Sequence, residues 1–309
     1  LLEQAERLFG LAPNIEITLE GNPSSIEAAN YAALASAGVN RVSLGMQSLD
    51  DAALRMLGRL HSAEEALAAL DIAQRHFARV SIDLIYARPG QSEAAWEAEL
   101  ARALSFGTEH LSLYQLTIEP GTRFATDVRR GALAPLDDDA AADLFALTQE
   151  RTAAAGRPAY EISNHAQPEA ESRHNLAYWR YQDYVGIGPG AHGRRGGVAT
   201  TRHRKPENYL AAVGARGQGI AEERVLPRQE QATEALLMGL RLAEGIDITK
   251  LGRRFGFVPE ALISADKLAL YEAQGLVARD AGRVAVTPRG MPLLDALLRE
   301  LVALEPELA

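Results

Sequence analysis

The sequence contains no cysteine in 309 residues. It therefore offers no disulfide bond and no thiolate to bind zinc, haem or an iron–sulfur cluster. Long apolar runs are also missing, since no stretch approaches the roughly 20 apolar residues of a membrane-spanning helix. Basic residues are outnumbered: 32 Lys and Arg against 41 Asp and Glu give a net charge of −9, which disfavours non-specific nucleic-acid binding. These absences favour a protein without a membrane span in a reducing compartment, which we expect to be the cytoplasm.

Strand and helix patterns alternate along the first half of the chain. Four apolar segments ending in turn signals predict strands near 15–20, 41–45, 80–86 and 111–116. Helix patterns separate them: one begins at Ser24 or Ser25, a short one follows Asp50, and Ser62 with Glu65 forms a capping box. Further helices are predicted at 93–104 and 137–154, and a fifth, short strand at 160–163. This order predicts an α/β protein whose parallel strands lie in one barrel-like or doubly wound sheet.

Polar residues collect where the predicted strands end. Glu20, Asn22, Gln47 and Glu119 follow strand patterns, whereas Asp83 lies inside an apolar strand. In parallel α/β folds function resides at the carboxyl ends of the strands, although loops are polar in general. An unpaired carboxylate inside a strand is costly, so we expect Asp83 to serve a site or a fixed hydrogen bond.

One stretch concentrates aromatic residues, histidine and glycine. HNLAYW at 174–179 is followed by GIGPGAHG at 186–193, with tyrosines between them. A neutral imidazole binds iron or zinc, and neighbouring aromatic rings suit a flat apolar ligand such as a porphyrin. A packed aromatic corner followed by a glycine turn is the alternative interpretation. The glycine and arginine residues at 193–197 predict a mobile surface loop.

The pattern changes after about residue 224. Helices predicted at 229–243, 248–255 and 259–274 precede a hairpin pattern at 275–287 and a last helix. This order resembles a winged helix, which serves either DNA binding or packing and partner contacts. Because the region is not notably basic, we favour the second role. We expect three parts, namely an α/β part at 1–165, a connecting region at 166–223 that completes the site, and a carboxyl-terminal domain at 224–309.

Ten short motifs together resemble one family. They are EGNP at 20–23, SLGMQS at 43–48, LGRLH at 57–61, DLIY at 83–86, PGQ at 89–91, YQL at 114–116, EPGT at 119–122, YEISN at 160–164, HNLAYW at 174–179 and GIGPGAHG at 186–193. In this order the chain resembles the radical SAM proteins related to oxygen-independent coproporphyrinogen III oxidase. More narrowly, HNLAYW resembles the mark of the haem-chaperone branch, the HemW proteins.

The resemblance implies a fold, cofactors and site residues. The fold would be a partial (β/α)6 barrel, here lacking its first strands, with a mostly helical, winged-helix-like carboxyl-terminal domain. A [4Fe-4S] cluster on a Cys-x-x-x-Cys-x-x-Cys loop would bind S-adenosylmethionine. Residue by residue, the resemblance assigns S-adenosylmethionine contacts to Glu20, Gln47, Arg59, Asp83, Gln115 and His192. It assigns haem binding to His174, as an iron ligand or attachment point.

The chain departs from this family at the cluster loop. The cysteines and first strands are missing, and residues 1–9 read as an amphipathic helix without an N-cap, so we expect an amino-terminally truncated chain. Whether it is an enzyme is left open, and without thiolates we expect no radical chemistry from it. The main hypothesis is a haem chaperone that delivers haem to an acceptor protein. The alternatives are a coproporphyrinogen III oxidase (dehydrogenase) and a metal-free binding module; homodimer formation is left open.

Overall fold

The computed structural model describes residues 1–24 and 28–302 and divides the chain into two units, one over Leu1–Glu171 and one that begins at Ser172. The helix expected from Ser24 or Ser25 falls partly on residues 25–27, outside the described residues. Within the described part of that prediction lies the helix Tyr31–Ser36, which we call α2. The helices of the first unit are α1 (Leu2–Phe9), α2 (Tyr31–Ser36), α3 (Asp51–Met56), α4 (Ala63–His76), α5 (Glu93–Ser105), α6 (Arg123–Arg129) and α7 (Asp138–Ala154).

A five-stranded sheet forms the centre of the first unit. Its strands, in spatial order, are β1 (Thr18–Gly21), β2 (Arg41–Gln47), β3 (Arg79–Tyr86), β4 (His110–Gln115) and β5 (Asn164–Ala166). The first four pair in parallel, each with the next. Helices connect these strands, as crossovers between parallel strands usually do. The sequence-based prediction of four neighbouring parallel strands is therefore confirmed.

The fifth strand differs from its prediction in position. Strand β5 occupies Asn164–Ala166 instead of 160–163, and it pairs with β4 in the antiparallel sense. Residues just before it fold back on β5, because Tyr160 N donates to Asn164 O and Ala159 bridges His165. Glu161 stabilises the same turn, since its carboxylate accepts a hydrogen bond from Ser163 N at 3.0 Å. The apolar alternation at 160–163 thus belongs to a turn.

The two faces of this sheet carry different side chains. One face is apolar and packs under α4, α5 and α7; it carries Val42, Leu44, Met46, Val80, Ile82, Leu84, Leu111 and Leu113. The strands alternate, so the opposite face carries polar side chains. We call it the polar face, and its members include Glu20, Ser43, Ser81, Asp83, His110, Ser112 and Asn164. Hydrophobic burial therefore fixes which residues are left for a site.

The second unit contains a separate antiparallel sheet. It consists of β6 (His192–Arg195), β7 (Val198–Arg202) and β8 (Ile220–Val225), with α8 (Arg173–Trp179) before it and α9 (Pro206–Arg216) between its last two strands. The surface loop expected at 193–197 is wrong. Gly193 and Arg194 are buried in β6, and only Gly196 and Gly197 form the hairpin turn, both with positive φ.

The remaining described residues have the element order of a winged helix. They form α10 (Arg228–Gly239), β9 (Ile246–Asp247), α11 (Ile248–Phe255), α12 (Pro259–Leu262), α13 (Ala265–Ala273), β10 (Val277–Asp280), β11 (Arg283–Val286) and α14 (Leu294–Leu301). The three strands pair in the order β10-β11-β9. The single helix predicted at 259–274 is wrong, because Ile263 is extended and Ser264 caps a new helix at Lys267 N. Within the described residues, no helix is long and apolar enough to span a membrane.

Candidate functional site

Asp83 lies on the polar face, between serines from both neighbouring strands. Ser43 Oγ on β2 donates to Asp83 Oδ1 at 2.9 Å, and Ser112 on β4 stands opposite Asp83 in the register. Burial raises the pKa of Asp83 to about 6, although the two serine hydroxyls and Arg41 oppose the rise. The nearby Glu20 carboxylate raises that pKa further. Asp83 therefore has the fixed hydrogen bond that we expected, and it changes charge near neutral pH.

Gln47 brings its amide to the same face. Its backbone is left-handed, with a φ of 67°. The side chain folds back over Gly45, since a Cβ added there would lie 2.7 Å from Gln47 Nε2 and 3.7 Å from the Gly21 carbonyl. A side chain at position 45 would therefore push the Gln47 amide out of this position. Glu20 pairs with Ser43 in the register and so projects from β1 on the same face. Glu20, Gln47 and Asp83 are thus brought together near the carboxyl ends of β1 to β3.

Arg59 lies in the turn that follows α3. His61 Nε2 lies 3.1 Å from the Met46 carbonyl, so this turn is tied to the end of β2. Arg59 Nε is buried and has no hydrogen-bond partner within the described part of the chain. A buried guanidinium nitrogen that lacks a partner is available to a carboxylate from a ligand.

Gln115 ends β4 but turns its side chain away from the polar face. Gln115 Nε2 donates to the Ala141 carbonyl of α7 at 2.7 Å. In the register it stands opposite Tyr86, which stacks on Trp96 in the apolar layer. Its side chain is thereby occupied, and only its backbone is left to contact a ligand beside Asp83.

A second polar network lies deeper on the polar face, and of its members the motifs include only Tyr160. Ser81 Oγ lies 2.7 Å from His110 Nδ1, and His110 Nε2 lies 2.9 Å from the Tyr160 hydroxyl. Burial lowers the pKa of His110 well below its ordinary value, and the Arg41 charge lowers it further, so this imidazole is neutral. The signal that would have found the network is the polar residue at every second position of β2, β3 and β4.

His174 lies in the second unit, on the two-turn helix α8. Ser172 caps this helix by accepting from Asn175 N, and the His174 side chain is exposed. Its ring meets the edge of Tyr178 at 4.7 Å between centroids, and Tyr178 in turn packs on Tyr184 at 4.4 Å. An accessible imidazole beside aromatic rings has the chemistry to bind a flat iron-containing ligand.

A third tyrosine of this stretch, Tyr181, contacts an arginine of β6 and a glutamate of the winged-helix region. Arg194 lies 3.4 Å above the Tyr181 ring, and the Tyr181 hydroxyl donates to Glu234 at 2.5 Å. His192 opens β6 two residues earlier, opposite Thr201, and it is exposed. Gly186 packs against its backbone, since a Cβ at position 186 would lie 2.0 Å from the His192 carbonyl oxygen. His192 is thus held by the glycine-rich stretch before it.

No group of three or more His, Cys, Asp or Glu residues suited to a metal ion occurs among residues 1–24 and 28–302. The sequence has no cysteine at all. The residues present therefore do not fit a [4Fe-4S] cluster, whose irons are held by thiolates. They do fit a polar organic ligand at the polar face, where the Glu20 and Asp83 carboxylates and the Gln47 amide come from three neighbouring strands. Arg59, with its buried Nε, lies in the turn after α3.

A parallel sheet with polar groups at its carboxyl ends defines an α/β protein of the ligand-binding type. Comparison with known proteins specifies the family. The radical SAM superfamily model matches residues 1–103, and the HemN carboxyl-terminal domain model matches residues 226–293. The solved structure of coproporphyrinogen III oxidase (HemN) from Escherichia coli, described as a radical SAM enzyme, has a TM-score of 0.79 at 21% identity. The match covers 96% of this chain and 72% of that one, and it shows a shared fold.

Two curated relatives match nearly the whole chain. The radical S-adenosyl methionine domain-containing protein 1, mitochondrial, of Bos taurus is 37% identical over 98% of this chain and 71% of its own length. The heme chaperone HemW of Mycobacterium tuberculosis is 36% identical over 98% of this chain and 75% of its own length. The chain therefore belongs to the radical SAM proteins with a HemN carboxyl-terminal domain, the family that includes HemW.

Proposed function

We propose that this protein is a haem chaperone, which binds haem and delivers it to an acceptor protein. The observation that carries the proposal is the 36% identity to the heme chaperone HemW over 98% of the chain. The residues of the second unit support it, because the HNLAYW stretch forms a capped helix with an exposed imidazole packed against tyrosine. We propose His174 as the residue that binds haem, with His192 as the next candidate.

We propose that the polar face of the first unit takes S-adenosylmethionine. Glu20 and Asp83 supply acceptors for hydroxyl and amino groups, Gln47 supplies an amide, and Arg59 supplies a guanidinium for a carboxylate. In the family S-adenosylmethionine supplies radical chemistry at an iron–sulfur cluster. We assign no such step to this chain, because it has no thiolate to hold the cluster.

A coproporphyrinogen III oxidase activity is the second candidate, and it has less support. The likeness to HemN from Escherichia coli rests on 21% sequence identity and concerns the fold. The relatives at 36–37% identity are a HemW protein and a mitochondrial radical S-adenosyl methionine domain protein. We propose the cytoplasm as the compartment and a haem-accepting protein as the partner.

Haem titration of the wild type and of His174→Ala tests the proposal. We expect the wild type to bind haem with a defined Soret band. Loss of the imidazole should weaken binding at least tenfold and shift the Soret band, with little change in melting temperature, because His174 is exposed. His76→Ala is the matched control, since it removes another exposed histidine from the last turn of α4.

The outcomes separate the alternatives. An unchanged affinity and spectrum in His174→Ala would remove His174 from the site and make His192→Ala the next measurement. A fall in unfolding free energy of about 1–3 kcal/mol without a spectral change would give His174 a structural role. A wild type that binds no haem would contradict the chaperone function itself.

A further inference from the structure

Glu99 on α5 collects hydrogen bonds from two separate loops. Its Oε1 accepts from Ser48 Oγ at 2.6 Å and from Leu49 N at 2.7 Å. Its Oε2 accepts from Arg88 Nη2 at 2.5 Å, and Gln91 Nε2 lies 3.5 Å away. Ser48 and Leu49 follow β2, whereas Arg88 and Gln91 follow β3. One buried carboxylate therefore binds the loops that leave two neighbouring strands.

Arg88 joins the same two loops directly. Its Nη1 donates to Ser48 Oγ at 2.8 Å and to the Ile85 carbonyl at 3.0 Å. The side chains of Arg88 and Glu99 are 8% and 9% exposed, so the ion pair is almost fully removed from water. A buried pair of this kind depends on both partners, because removal of either one leaves an uncompensated charge.

A residue with strained backbone stands where each strand leads into its loop. Gln47 has a φ of 67° and Ala87 a φ of 53°, in the left-handed region that non-glycine residues rarely adopt. Each stands immediately before a residue of the Glu99 network, Gln47 before Ser48 and Ala87 before Arg88. Strained backbone persists where surrounding contacts determine it, and it clusters at ligand sites.

We infer that Glu99 is a positioning residue for the ligand site on the polar face. It holds both left-handed turns, so that the Gln47 amide stays folded over Gly45, beside Asp83. Glu99 acts from the helix side of the sheet through Ser48 and Arg88, without touching the ligand. The inference rests on the proposed binding of S-adenosylmethionine at the carboxyl ends of β2 and β3.

Hydrogen exchange and ligand binding together test this role in Glu99→Gln. We expect the amides of residues 47–49, 88, 90 and 91 to exchange roughly tenfold faster, while the strands and α4 keep their protection. Affinity for S-adenosylmethionine, measured by calorimetry on the full chain, should fall roughly tenfold, as it does when outer partners of metal ligands are removed. A merely stabilising residue would lower the melting temperature without changing affinity in the folded protein.

Two further variants keep the test decisive. Glu97→Gln is the matched control, because Glu97 lies on the same helix and pairs with Arg151 at the surface at 2.5 Å. Ser48→Ala keeps the Arg88–Glu99 pair and the bond from Leu49 N, and it removes the hydroxyl that joins the first loop to both Glu99 and Arg88. If Glu99→Gln does not fold, Ser48→Ala carries the test, and it should speed exchange at 47–49 and weaken ligand binding.

The two proposals fail in different ways. Unchanged exchange in both loops, or faster exchange with unchanged affinity, would overturn the positioning role. A wild type that binds no S-adenosylmethionine would overturn the proposed ligand, and the positioning role with it. The exchange arm would still report whether Glu99 couples the two loops.

Discussion

Ser43 Oγ donates a hydrogen bond to Asp83 Oδ1 across the junction of β2 and β3. The bond favours the ionised carboxylate, whereas burial favours the neutral acid and dominates, leaving the pKa at about 6. Asp83 thus remains costly to ionise in the folded state even with its partner in place. The consequence for stability can be measured.

Asp83 should make the protein less stable as pH rises from about 4 to about 6. Its folded pKa lies above the ordinary value of 3.8, so the folded state binds the proton more tightly than the unfolded state does. This contribution is complete below pH 4 and is lost as pH rises through 6. Asp83→Asn should remove this pH dependence. The unfolding free energy of the variant relative to that of the wild type should therefore rise by up to about 3 kcal/mol from pH 4 to pH 7. Urea unfolding at several pH values measures the difference; a pH-independent difference would contradict the prediction.

Trp96 should contribute to the first unit alone. It is fully buried, stacks on Tyr86 at 4.7 Å between centroids, and donates from Nε1 to Thr148 Oγ1 at 2.8 Å. Trp96→Phe should lower the unfolding free energy of this unit by about 1–3 kcal/mol, through the lost hydrogen bond and volume. Hydrogen exchange across a urea series follows each unit separately. The control is Trp179→Phe in the second unit, and an equal effect of both variants on β3 would be the contrary result.

Ser62 should stabilise the start of α4. Its hydroxyl accepts from Glu65 N, and the Glu65 carboxylate accepts from Ser62 N at 2.8 Å. Ser62→Ala should cost about 1 kcal/mol, because the Glu65 amide at the helix start loses its partner. Thermal unfolding gives the value. Ser36→Ala is a suitable comparison, since that hydroxyl only bonds back to the Ala32 carbonyl of its own helix, and a loss as large as that of Ser62→Ala would argue against the cap.

Two glycines of the second unit should respond oppositely to alanine. Gly245 has a φ of 62°, and a Cβ there would lie 2.1 Å from the Val284 carbonyl oxygen. Gly245→Ala should therefore destabilise the unit by about 3 kcal/mol. Gly214 lies inside α9 with no atom within 4 Å of its Cβ position. Gly214→Ala should stabilise the unit by about 0.5–1 kcal/mol. Calorimetric melting of both variants checks the pair, and shifts of the same sign would contradict it.

The parallel part of the sheet could be predicted because its signal is local. In β3 apolar residues alternate with polar ones over five positions, Val80 to Leu84. This short segment is enough to predict both the strand and the two faces of the sheet. The winged-helix order was predictable for a similar reason, since each helix and the hairpin has its own pattern and turn. These predictions needed no knowledge of distant contacts.

The elements that were mispredicted depend on contacts far apart in sequence or on turn chemistry. Strand β5 is defined by its pairing with β4, and the preceding residues are drawn into a turn that the alternation at 160–163 does not indicate. The break before α13 depends on Ser264 acting as a cap inside an otherwise helical pattern. Arg194 is buried because it stacks on Tyr181, which a glycine-rich context does not predict.

The sequence indicates which residues to consider for the candidate site, but it does not predict where all of their side chains point. The motifs indicate Glu20, Gln47 and Asp83, and the register brings Glu20 and Asp83 to one face. Gln47 follows a bulge that pairs it with Leu84, and its amide reaches that face by folding back over Gly45. The side chain of Gln115 faces α7 instead, because the parity of β4 places it opposite Tyr86. The role of Glu99 is not predictable from the sequence, because its partners lie about 50 and 8–11 residues upstream, in loops that meet only in the folded sheet.

The division of the sheet into a polar and an apolar face has a consequence for insertions and deletions. Adding one residue within β3 before Asp83 would reverse the side of every residue between the insertion and the strand end. Asp83 would then enter the leucine-rich layer under α4 and α5, and Leu84 would turn to the polar face. Changes in length should therefore be tolerated in the connections between strands and excluded from β2, β3 and β4. A library of single-residue insertions scored for folded protein would map this boundary along the chain.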